Sequence, residues 1–462
     1  MSKIDYIVIL VYLVGVILVG LKCKEKTKSS SDYMVADRKL GISIFMGTYL
    51  ATAIGGGVLN GWVGNVYESG LTILPSMIAI YIATIVTGLF LATKLRNFGG
   101  FTAPDVLGRM YGKPAQAYGG LCSFLYLMGT GPAMQTVTFG TVINVVTGIP
   151  FVYGAIISTI VILLFTYFSG FWGVAVTDYV QFIIMGFGVA FAAWLCFEKV
   201  GGWEGIVATV PQSHLTITND ITAIIRLIFT TSLTTLIDGN RYQRFFACKD
   251  AKTAKKGTLL SLIPLHTFYM AILLLGTCAY ILIPNIKPDA AFSSLLLNEL
   301  PPVLRGLVFA ALLAAILSTS DSYLLVAATN YSNDIYKNLI NPKCDDQKML
   351  KITKHTTLVL GLGGLAIAIW MQSIMSIWSL ASAAYVGGCF IPMLYALFFK
   401  NCKKSALAAN CAMIVGSVTS VVFEITGITF LSLPGAAVGT IANFIVFSLV
   451  TLLDPKATIK SL

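Results

Sequence analysis

The number and length of its apolar runs constrain the fold of this chain more than any other feature of the sequence. A helix that crosses the hydrocarbon core of a bilayer needs about 20 predominantly apolar residues. Runs of that length lie near 4–22, 41–62, 71–93, 117–146, 151–169, 171–196, 223–247, 257–284, 302–336, 354–372, 374–399, 405–424 and 427–453. Hydrophobic residues make up 56% of the chain and charged residues only 11%, which leaves no soluble domain. The sequence therefore predicts an all-α polytopic membrane protein of about 13 transmembrane helices.

The basic residues predict how these helices are oriented. If the N-terminus faces outward, 26 of the 31 Lys and Arg residues fall in loops on the inner side. Those loops lie near 22–39, 94–113, 241–256, 337–354, 400–404 and 456–460. This is the positive-inside pattern of a plasma (cytoplasmic) membrane protein, so we expect the N-terminus outside and the C-terminus inside. The first run has no small-residue cleavage site and is interpreted as an anchor. The net charge of +11 then follows from topology and requires no nucleic-acid partner.

Motifs typical of enzymes and cofactor binding are absent from the sequence. The three His residues are isolated, the nine Cys residues show no C-x-x-C spacing, and there is no G-x-x-x-x-G-K-[ST] phosphate loop. We therefore expect a protein that is not an enzyme, has no cofactor and keeps its cysteines as reduced thiols.

The most polar point inside an apolar run is Ser318-Thr-Ser-Asp-Ser322, within the run 302–336. On a helix, Ala315, Ser318, Thr319 and Ser322 share one face, and Asp321 lies beside it. An ionisable residue inside a membrane is costly, so its default interpretation is functional. Hydroxyl and carboxylate oxygens suit a hard cation. The alternative is that the hydroxyls only join helices or bond to their own backbone.

Two of the runs contain residues that interrupt a helix. The run 41–62 contains Gly55-Gly-Gly57, and the run 223–247 contains Asp238-Gly-Asn240. Non-helical backbone at membrane depth is tolerated where it lines a cavity inside the protein. Because five spans separate the starts of the two runs, they have opposite orientations, which predicts an inverted repeat with a binding site between the breaks. Close helix packing is the alternative explanation of the glycines.

A further carboxylate, Asp178, lies at the start of an apolar run. It is either solvated at the membrane interface or faces Ser318 and Ser322. The sequence leaves both interpretations open.

Several motifs resemble the sodium/solute symporter family, which has a LeuT-type core of 5+5 inverted repeats. They are Ser31-Asp-Tyr-Met-Val-Ala-Asp-Arg38, Phe101-Thr-Ala-Pro-Asp-Val-Leu-Gly-Arg109, Val176-Thr-Asp-Tyr-Val-Gln181, Tyr242-Gln-Arg-Phe-Phe-Ala-Cys-Lys249 and Ala314-Ala-Ile-Leu-Ser-Thr-Ser-Asp-Ser322 through Asp334-Ile-Tyr-Lys337. The resemblance implies an extra helix and loop over 1–40, a first repeat over 41–199, a second over 200–400, and two further helices over 401–462.

The resemblance also implies where sodium binds. A first ion would be held by the carbonyl groups of Ala51, Ile54 and Ala315 and by the hydroxyls of Ser318 and Thr319. A second sodium, present in some members, would be held by Asp178, Ser318, Asp321 and Ser322, all of which carry oxygen donors here.

The solute site is expected at the two breaks. The stretch Thr52–Gly61 is most similar to the choline-transporter branch, but Ala53 and Asp238 stand where that branch has tryptophans. The predicted solute-binding residues are Ala53, Gly56, Asn60, Asp238 and Asn240. A carboxylate at the break favours a solute that carries an amine, unless Asp238 forms a structural salt bridge with Arg241.

Together these observations predict a sodium-coupled secondary active symporter that imports a small organic solute by alternating access. That solute is an amine, an amino-acid-like molecule or another polar metabolite. A choline, betaine or sugar symporter and a membrane sensor on the same fold are the alternatives; a sensor would need a signalling domain, and the chain ends at Leu462. The expected partners are the solute, sodium and the lipid bilayer. A monomer would suffice, and the oligomeric state is left open.

Overall fold

The computed structural model describes residues 1–23, 29–217, 220–399, 402–430 and 433–459. The loop lysines Lys24, Lys26, Lys28, Lys400 and Lys460, which contribute to the charge pattern, lie outside these ranges. Helices account for almost all of the described residues.

The α-helices are numbered here in chain order. They are α1 (Lys3–Cys23), α2 (Ser30–Val35), α3 (Ile42–Ala53), α4 (Gly56–Ser69), α5 (Leu74–Val86), α6 (Ala92–Phe98), α7 (Pro104–Tyr111), α8 (Lys113–Met128), α9 (Met134–Thr147), α10 (Phe151–Lys199), α11 (Gly202–Thr209), α12 (Ile221–Ile237), α13 (Gly239–Ala247), α14 (Ala251–Leu260), α15 (Leu262–Leu282), α16 (Ala291–Glu299), α17 (Leu304–Asn330), α18 (Asp346–Met371), α19 (Ile374–Phe398), α20 (Ala406–Thr426) and α21 (Gly435–Leu453).

Short turns of other helix types continue or connect these elements. Wider π-type turns occupy Thr87–Leu91, Gly129–Ala133 and Tyr331–Ile340, and 3-10 turns occupy Ala36–Arg38, Gly70–Ile73, Gln212–His214 and Pro288–Ala290. Two short strands, Lys403–Lys404 and Thr458–Ile459, pair antiparallel near the C-terminus. The segment Tyr331–Ile340 follows α17 without interruption, so the two form one long helical element.

Eight helical stretches in the described ranges are long and apolar enough to cross a membrane. They are Gly56–Phe98, Gly170–Lys199, Ala251–Leu282, Leu304–Ile340, Asp346–Met371, Ile374–Phe398, Ala406–Thr426 and Gly435–Leu453. The predicted all-α polytopic membrane fold is confirmed, whereas the number of 13 helices stays a prediction.

Helix α10 is interrupted where two apolar runs meet in the sequence. It spans 49 residues, about 73 Å if straight and more than twice the bilayer core. Gly170, with φ 60° and ψ −178°, divides it. Only glycine adopts this backbone conformation readily, so the kink follows directly from the residue type. The two halves correspond to the runs predicted at 151–169 and 171–196.

Helix α17 is the central element of the molecule. In its most apolar window 94% of the residues are buried, against 33–56% in the other spanning stretches. It packs against α10, α1, α8 and α18. This burial explains why polar residues are tolerated in its middle: they face other helices and not lipid.

Chain order gives the bundle two distinct ends. The connections from α4 to α5, α15 to α17 and α20 to α21 lie at one end, here termed the cavity end. The connections from α6 to α8, α13 to α14 and α17 to α18 lie at the other, here termed the opposite end. At the opposite end a bridge between Leu40 and Cys248 joins the chain before α3 to the end of α13.

Candidate ion and solute sites

The first predicted break is present between α3 and α4. Helix α3 ends at Ala53, Ile54 adopts φ −110° and ψ 51°, and α4 begins at Gly56. A β-carbon added to Gly55 would overlap the side chain of Thr319, and one added to Gly56 would overlap that of Ile316. The glycines therefore interrupt the helix and also let its backbone approach α17 closely. Both explanations considered for them are correct.

This close approach assembles most of the first predicted sodium site. The Ser318 hydroxyl donates to the carbonyl oxygens of Ala51 and Ala315, each at 3.2 Å. The Thr319 hydroxyl lies 3.5 Å from the carbonyl oxygen of Thr52. Ser318 is fully buried and Thr319 is 3% exposed. Ile54 lies at the break itself, next to Gly55. The donors are neutral hard oxygens away from water, which fit a monovalent hard cation.

The second predicted break is present at Asp238. Helix α12 ends at Ile237 and α13 begins at Gly239, with Asp238 as the N-cap. Its Oδ1 accepts from the backbone N–H of Asn240 at 3.0 Å, which satisfies one free donor of the new helix. Its Oδ2 accepts from the hydroxyl of Tyr323 at 3.1 Å and lies 3.6 Å from Nε of Arg241. The carboxylate is thus paired inside the protein, as the salt-bridge alternative proposed.

A cavity of about 460 Å³ joins the two breaks and extends towards the connection between α20 and α21. Its walls include Ala53, Trp62, Asp238, Arg241, Tyr323 and Trp378. The cavity therefore combines aromatic surfaces with the opposite charges of Asp238 and Arg241 and with a further carboxyl group, that of Glu424. Its volume suits a small organic solute and leaves space for water.

The predicted solute-binding residues do not all reach this cavity. Ala53 and Asp238 line it, whereas Gly56, Asn60 and Asn240 are not among its described lining residues. The amide nitrogen of Asn60 donates to the carbonyl of Asp289, and the amide oxygen of Asn240 accepts from Arg244. Trp62 and Trp378 supply aromatic surface that the breaks themselves lack.

Arg244 is a central residue that the sequence interpretation placed elsewhere. Its guanidinium group, 1% exposed, donates to Ser322 Oγ at 2.7 Å and lies 3.3 Å from Asp178 Oδ2. It also donates to the hydroxyls of Thr48 and Thr52. Arg244 was counted, with Arg241, among the basic residues of an inner loop. Both lie in α13, where Arg244 is buried and Arg241 lines the cavity, so the loop count for 241–256 includes two residues that lie inside the protein.

A signal for Arg244 was present in the sequence. The run 223–247 was interpreted as a membrane span, and a cation inside a span needs a partner. Asn240 and Arg244 are spaced i,i+4 and therefore share a helix face. Counting Arg244 as a residue inside a span would have predicted a buried carboxylate partner, and in the structure that partner is Asp178.

The predicted second sodium set is partly assembled around this arginine. Asp178 is fully buried and its Oδ2 accepts from Thr48 and, at 3.4 Å, from Ser322. Its Oδ1 and both oxygens of Asp321 have no hydrogen-bond partner among the described residues. Asp178 therefore faces Ser322 and is not an interface residue. Two buried carboxyl groups face a single guanidinium group here, so one of them needs a cation or a proton.

The chain is similar to known proteins over most of its length. The model of the family described as the sodium:solute symporter family matches residues 33–416. The osmoregulated proline transporter OpuE of Bacillus subtilis (strain 168) is 26% identical over 97% of this chain and 95% of that protein. A sodium/proline symporter of Staphylococcus aureus is 24% identical over 96% of this chain and 92% of that protein. The high-affinity choline transporter 1 of Drosophila melanogaster is 26% identical over 85% of this chain and 66% of that protein.

Solved structures show the same fold. The chain is similar to a Na⁺-coupled sialic acid symporter in a substrate-bound outward-open state, with a TM-score of 0.85 at 19% identity, over 99% of this chain and 100% of that one. It is also similar to MhsT in complex with L-phenylalanine, with a TM-score of 0.58 at 14% identity, over 88% of this chain and 97% of that one.

Proposed function

Because the chain belongs to the sodium:solute symporter family, we propose that its solute is a small zwitterion, such as an amino acid, bound in the 460 Å³ cavity between the two helix breaks. The observation that carries this proposal is the pair formed by Asp238 and Arg241. Both line the cavity, and Asp238 Oδ2 lies 3.6 Å from Arg241 Nε.

The geometry of this pair suits a molecule with two charges. An α-amino acid holds its ammonium and carboxylate groups a few ångströms apart, and each would meet an opposite charge here. Arg241 is held by the hydroxyl of Tyr49 at 2.9 Å, and Tyr323 holds Asp238. The two charges are therefore fixed before the solute arrives, which lowers the entropic cost of binding. A neutral sugar would offer no charge to either member of the pair.

Sodium binds, in this proposal, at the site of Ala51, Ile54, Ala315, Ser318 and Thr319. This site and the cavity share the first break and Thr319, since Thr319 also lines the cavity. Solute binding and sodium binding therefore stabilise the same backbone conformation, and each ligand raises the affinity for the other.

Orientation and repeat boundaries complete the proposal. The N-terminus faces outward, so the cavity end faces outward and the opposite end faces the cytoplasm. The first repeat spans 41–199 and contains the break at Ile54; the second spans 200–400 and contains the break at Asp238. The relatives that are proline transporters favour an amino-acid-like solute over choline.

The test is a thermal-stability screen of the purified protein, with and without sodium. The compounds are zwitterionic amino acids, their amides and N-acetyl derivatives, choline and neutral sugars. A bound solute raises the melting temperature by mass action. We expect stabilisation by one or a few zwitterions, dependent on sodium, and none by derivatives that lack either charge. Sodium-dependent stabilisation by choline or a sugar alone would refute the zwitterion proposal.

A matched pair of variants links the result to the site. Asp238→Asn removes the carboxylate but keeps an oxygen for the Asn240 N–H. A hydrogen bond to a charged group contributes about 1.5–3 kcal/mol, so solute affinity should fall roughly ten- to hundredfold. Thr231→Val, on the same cavity wall, should change it little. Sodium affinity without solute should be nearly unchanged in both. Unaltered solute affinity in Asp238→Asn would leave Asp238 as a structural partner of Arg241 only.

A further inference from the structure

Two sequence motifs without an assigned role meet at the opposite end of the bundle. The motif at 101–109 contributes Asp105, in the first turn of α7, and the motif at 334–337 contributes Asp334, in the segment that continues α17. They are 229 positions apart in the chain, yet hydrogen bonds to shared groups join them. Neither residue belongs to the ion and solute sites.

Two side-chain amide groups bridge the carboxylates. The NH₂ group of Gln116 donates to Oδ1 of Asp105 at 2.7 Å and to Oδ1 of Asp334 at 2.9 Å. The NH₂ group of Asn333 donates to the same two atoms, at 2.8 and 2.9 Å. Because each nitrogen contacts both oxygens at hydrogen-bond distance, the two Oδ1 atoms lie roughly 5 Å apart.

The remaining oxygens distinguish the two carboxylates. Oδ2 of Asp105 accepts from the backbone N–H groups of Phe101 and Thr102, at 2.7 and 3.1 Å. Oδ1 of Asp334 accepts a third bond, from the Thr102 hydroxyl at 2.8 Å. Oδ2 of Asp334 is buried and has no partner among the described residues. An ionised carboxylate needs donors at both oxygens, so Asp105 is suited to the charged form and Asp334 to the neutral acid.

The surroundings favour a proton over a metal ion at Oδ2 of Asp334. A β-carbon added to Gly120 of α8 would lie 2.7 Å from Cβ of Asp334 and 3.6 Å from this oxygen. Helix α8 thus packs its bare backbone against the carboxyl group. The NH₂ groups of Gln116 and Asn333 cannot coordinate a metal ion, and the Thr102 hydroxyl already donates to Oδ1 of Asp334. A proton takes far less space than a metal ion and removes the cost of a buried charge.

Cations on the neighbouring elements make other contacts. Arg38 donates to the carbonyl of Gly99 at 2.6 Å, and its charge acts on Asp105. Arg109 of α7 lies over the ring of Phe98, and Lys354 of α18 lies over the rings of Tyr33 and Tyr167. None of the ion pairs found among the described residues includes Asp105 or Asp334. A full second charge on Asp334 would therefore have no direct counter-charge.

We infer that Asp105 and Asp334 form a proton-binding site that holds one proton, carried on Oδ2 of Asp334. Asp334 is fully buried and Asp105 is partly buried. Two ionised carboxylates this close in such surroundings repel strongly, and pairs of this kind keep one proton between them. The proton allows α7, α8 and the end of α17 to pack tightly. Its release leaves two adjacent anions that are stable only when hydrated. Proton release therefore favours loosening of the bundle at this end.

Infrared spectroscopy detects the proton directly. A protonated carboxylic acid has a carbonyl stretching band that a carboxylate lacks. We expect such a band in the purified wild type, shifted by ¹³C-aspartate labelling. In Asp334→Asn the band should lose intensity, and the loss should exceed that in Asp178→Asn, whose carboxylate is paired with Arg244. Equal spectra for wild type and Asp334→Asn would overturn the inference.

Stability against pH gives a second readout that requires no solute. An unfolded Asp has released its proton above about pH 4, whereas the folded pair keeps one. The wild type should therefore lose stability as pH rises above about 4. Asn mimics a neutral acid, so Asp334→Asn should fold and lose this pH-dependent component. Asp105→Asn should be less stable than the wild type. The new NH₂ group replaces one of the two oxygens and cannot accept a hydrogen bond, so either the two backbone N–H groups or the two bridging amides lose their acceptor. Failure of Asp334→Asn to fold, or a pH profile equal to wild type, would refute a neutral Asp334. Both readouts are independent of which solute is carried.

Discussion

Ser318 and Thr319 are the two side chains of α17 that contribute oxygen to the proposed first sodium site. Their contacts to carbonyl oxygens of Ala51, Thr52 and Ala315 show how an unwound helix and an intact one share one ligand set. Each hydroxyl is neutral, so its loss costs about 0.5–1.5 kcal/mol and not the larger cost of a buried charge.

We therefore expect Ser318→Ala and Thr319→Ala each to raise the sodium concentration for half-maximal uptake roughly two- to tenfold. The measurement is initial uptake into proteoliposomes at varied sodium. Thr329→Val is the matched control: its hydroxyl is buried on the same helix and bonds only to the carbonyl of Leu325. A double Ser318/Thr319 variant with wild-type sodium dependence would exclude this site.

Asp321 provides a separate prediction at the residue scale. Both its oxygens lack partners among the described residues, and Arg244 neutralises only one of the two nearby carboxylates. A buried charge of this kind needs a cation. We expect two sodium ions per cycle, with the second at Asp178, Ser318, Asp321 and Ser322, and one ion in Asp321→Asn. Reversal potentials in proteoliposomes give the ratio, and a wild-type ratio of one would remove the second ion.

The two broken helices meet through Arg244. This one side chain contacts Thr48 and Thr52 of α3, Asp178 of α10 and Ser322 of α17, while its backbone belongs to α13. Four elements, α3, α10, α13 and α17, are thus tied together by one charged group. Removing one partner of a buried pair leaves an unpaired charge, which typically costs about 3–5 kcal/mol.

Arg244→Gln should therefore lose several kcal/mol of stability, as judged by denaturation in detergent followed by circular dichroism. The double variant Arg244→Gln with Asp178→Asn should recover part of the loss, because neither charge remains. Lys199→Gln is the control, since its pair with Glu299 is partly exposed and contributes about 0–1 kcal/mol. Equal losses in the single and double variants would show that the charge pair contributes nothing.

The helix breaks could be predicted from sequence because glycine and Asp-Gly-Asn have local backbone preferences. The i,i+3 and i,i+4 spacing likewise placed Ser318 and Thr319 on one face. The directions of Asn60 and Asn240 could not be predicted, because the rotation of a helix after a break depends on what packs against it. Trp62 and Trp378 carry no local signal either, since each lines the cavity only through the arrangement of separate helices.

At the scale of the whole molecule, the 460 Å³ cavity extends from the two breaks towards one end of the bundle. The described lining residues lead from the breaks towards the connection between α20 and α21, while hydrogen bonds pack the opposite end. The apolar runs predicted the fold class and the basic residues predicted a topology, because both patterns average over many residues. The same averaging obscured the positions of Arg241 and Arg244 inside the protein, because both were counted as loop residues.

One wall of the cavity comes from outside the proposed repeats. Phe423 and Glu424 of α20 and Gly435 of α21 face the same space as Trp378. The proposed ion ligands, by contrast, lie on or beside α3, α10 and α17. Substitutions in the last two helices can therefore change which solute fits the cavity without altering the proposed ion ligands. Such a separation lets solute specificity diverge within a family while the coupling to sodium is retained.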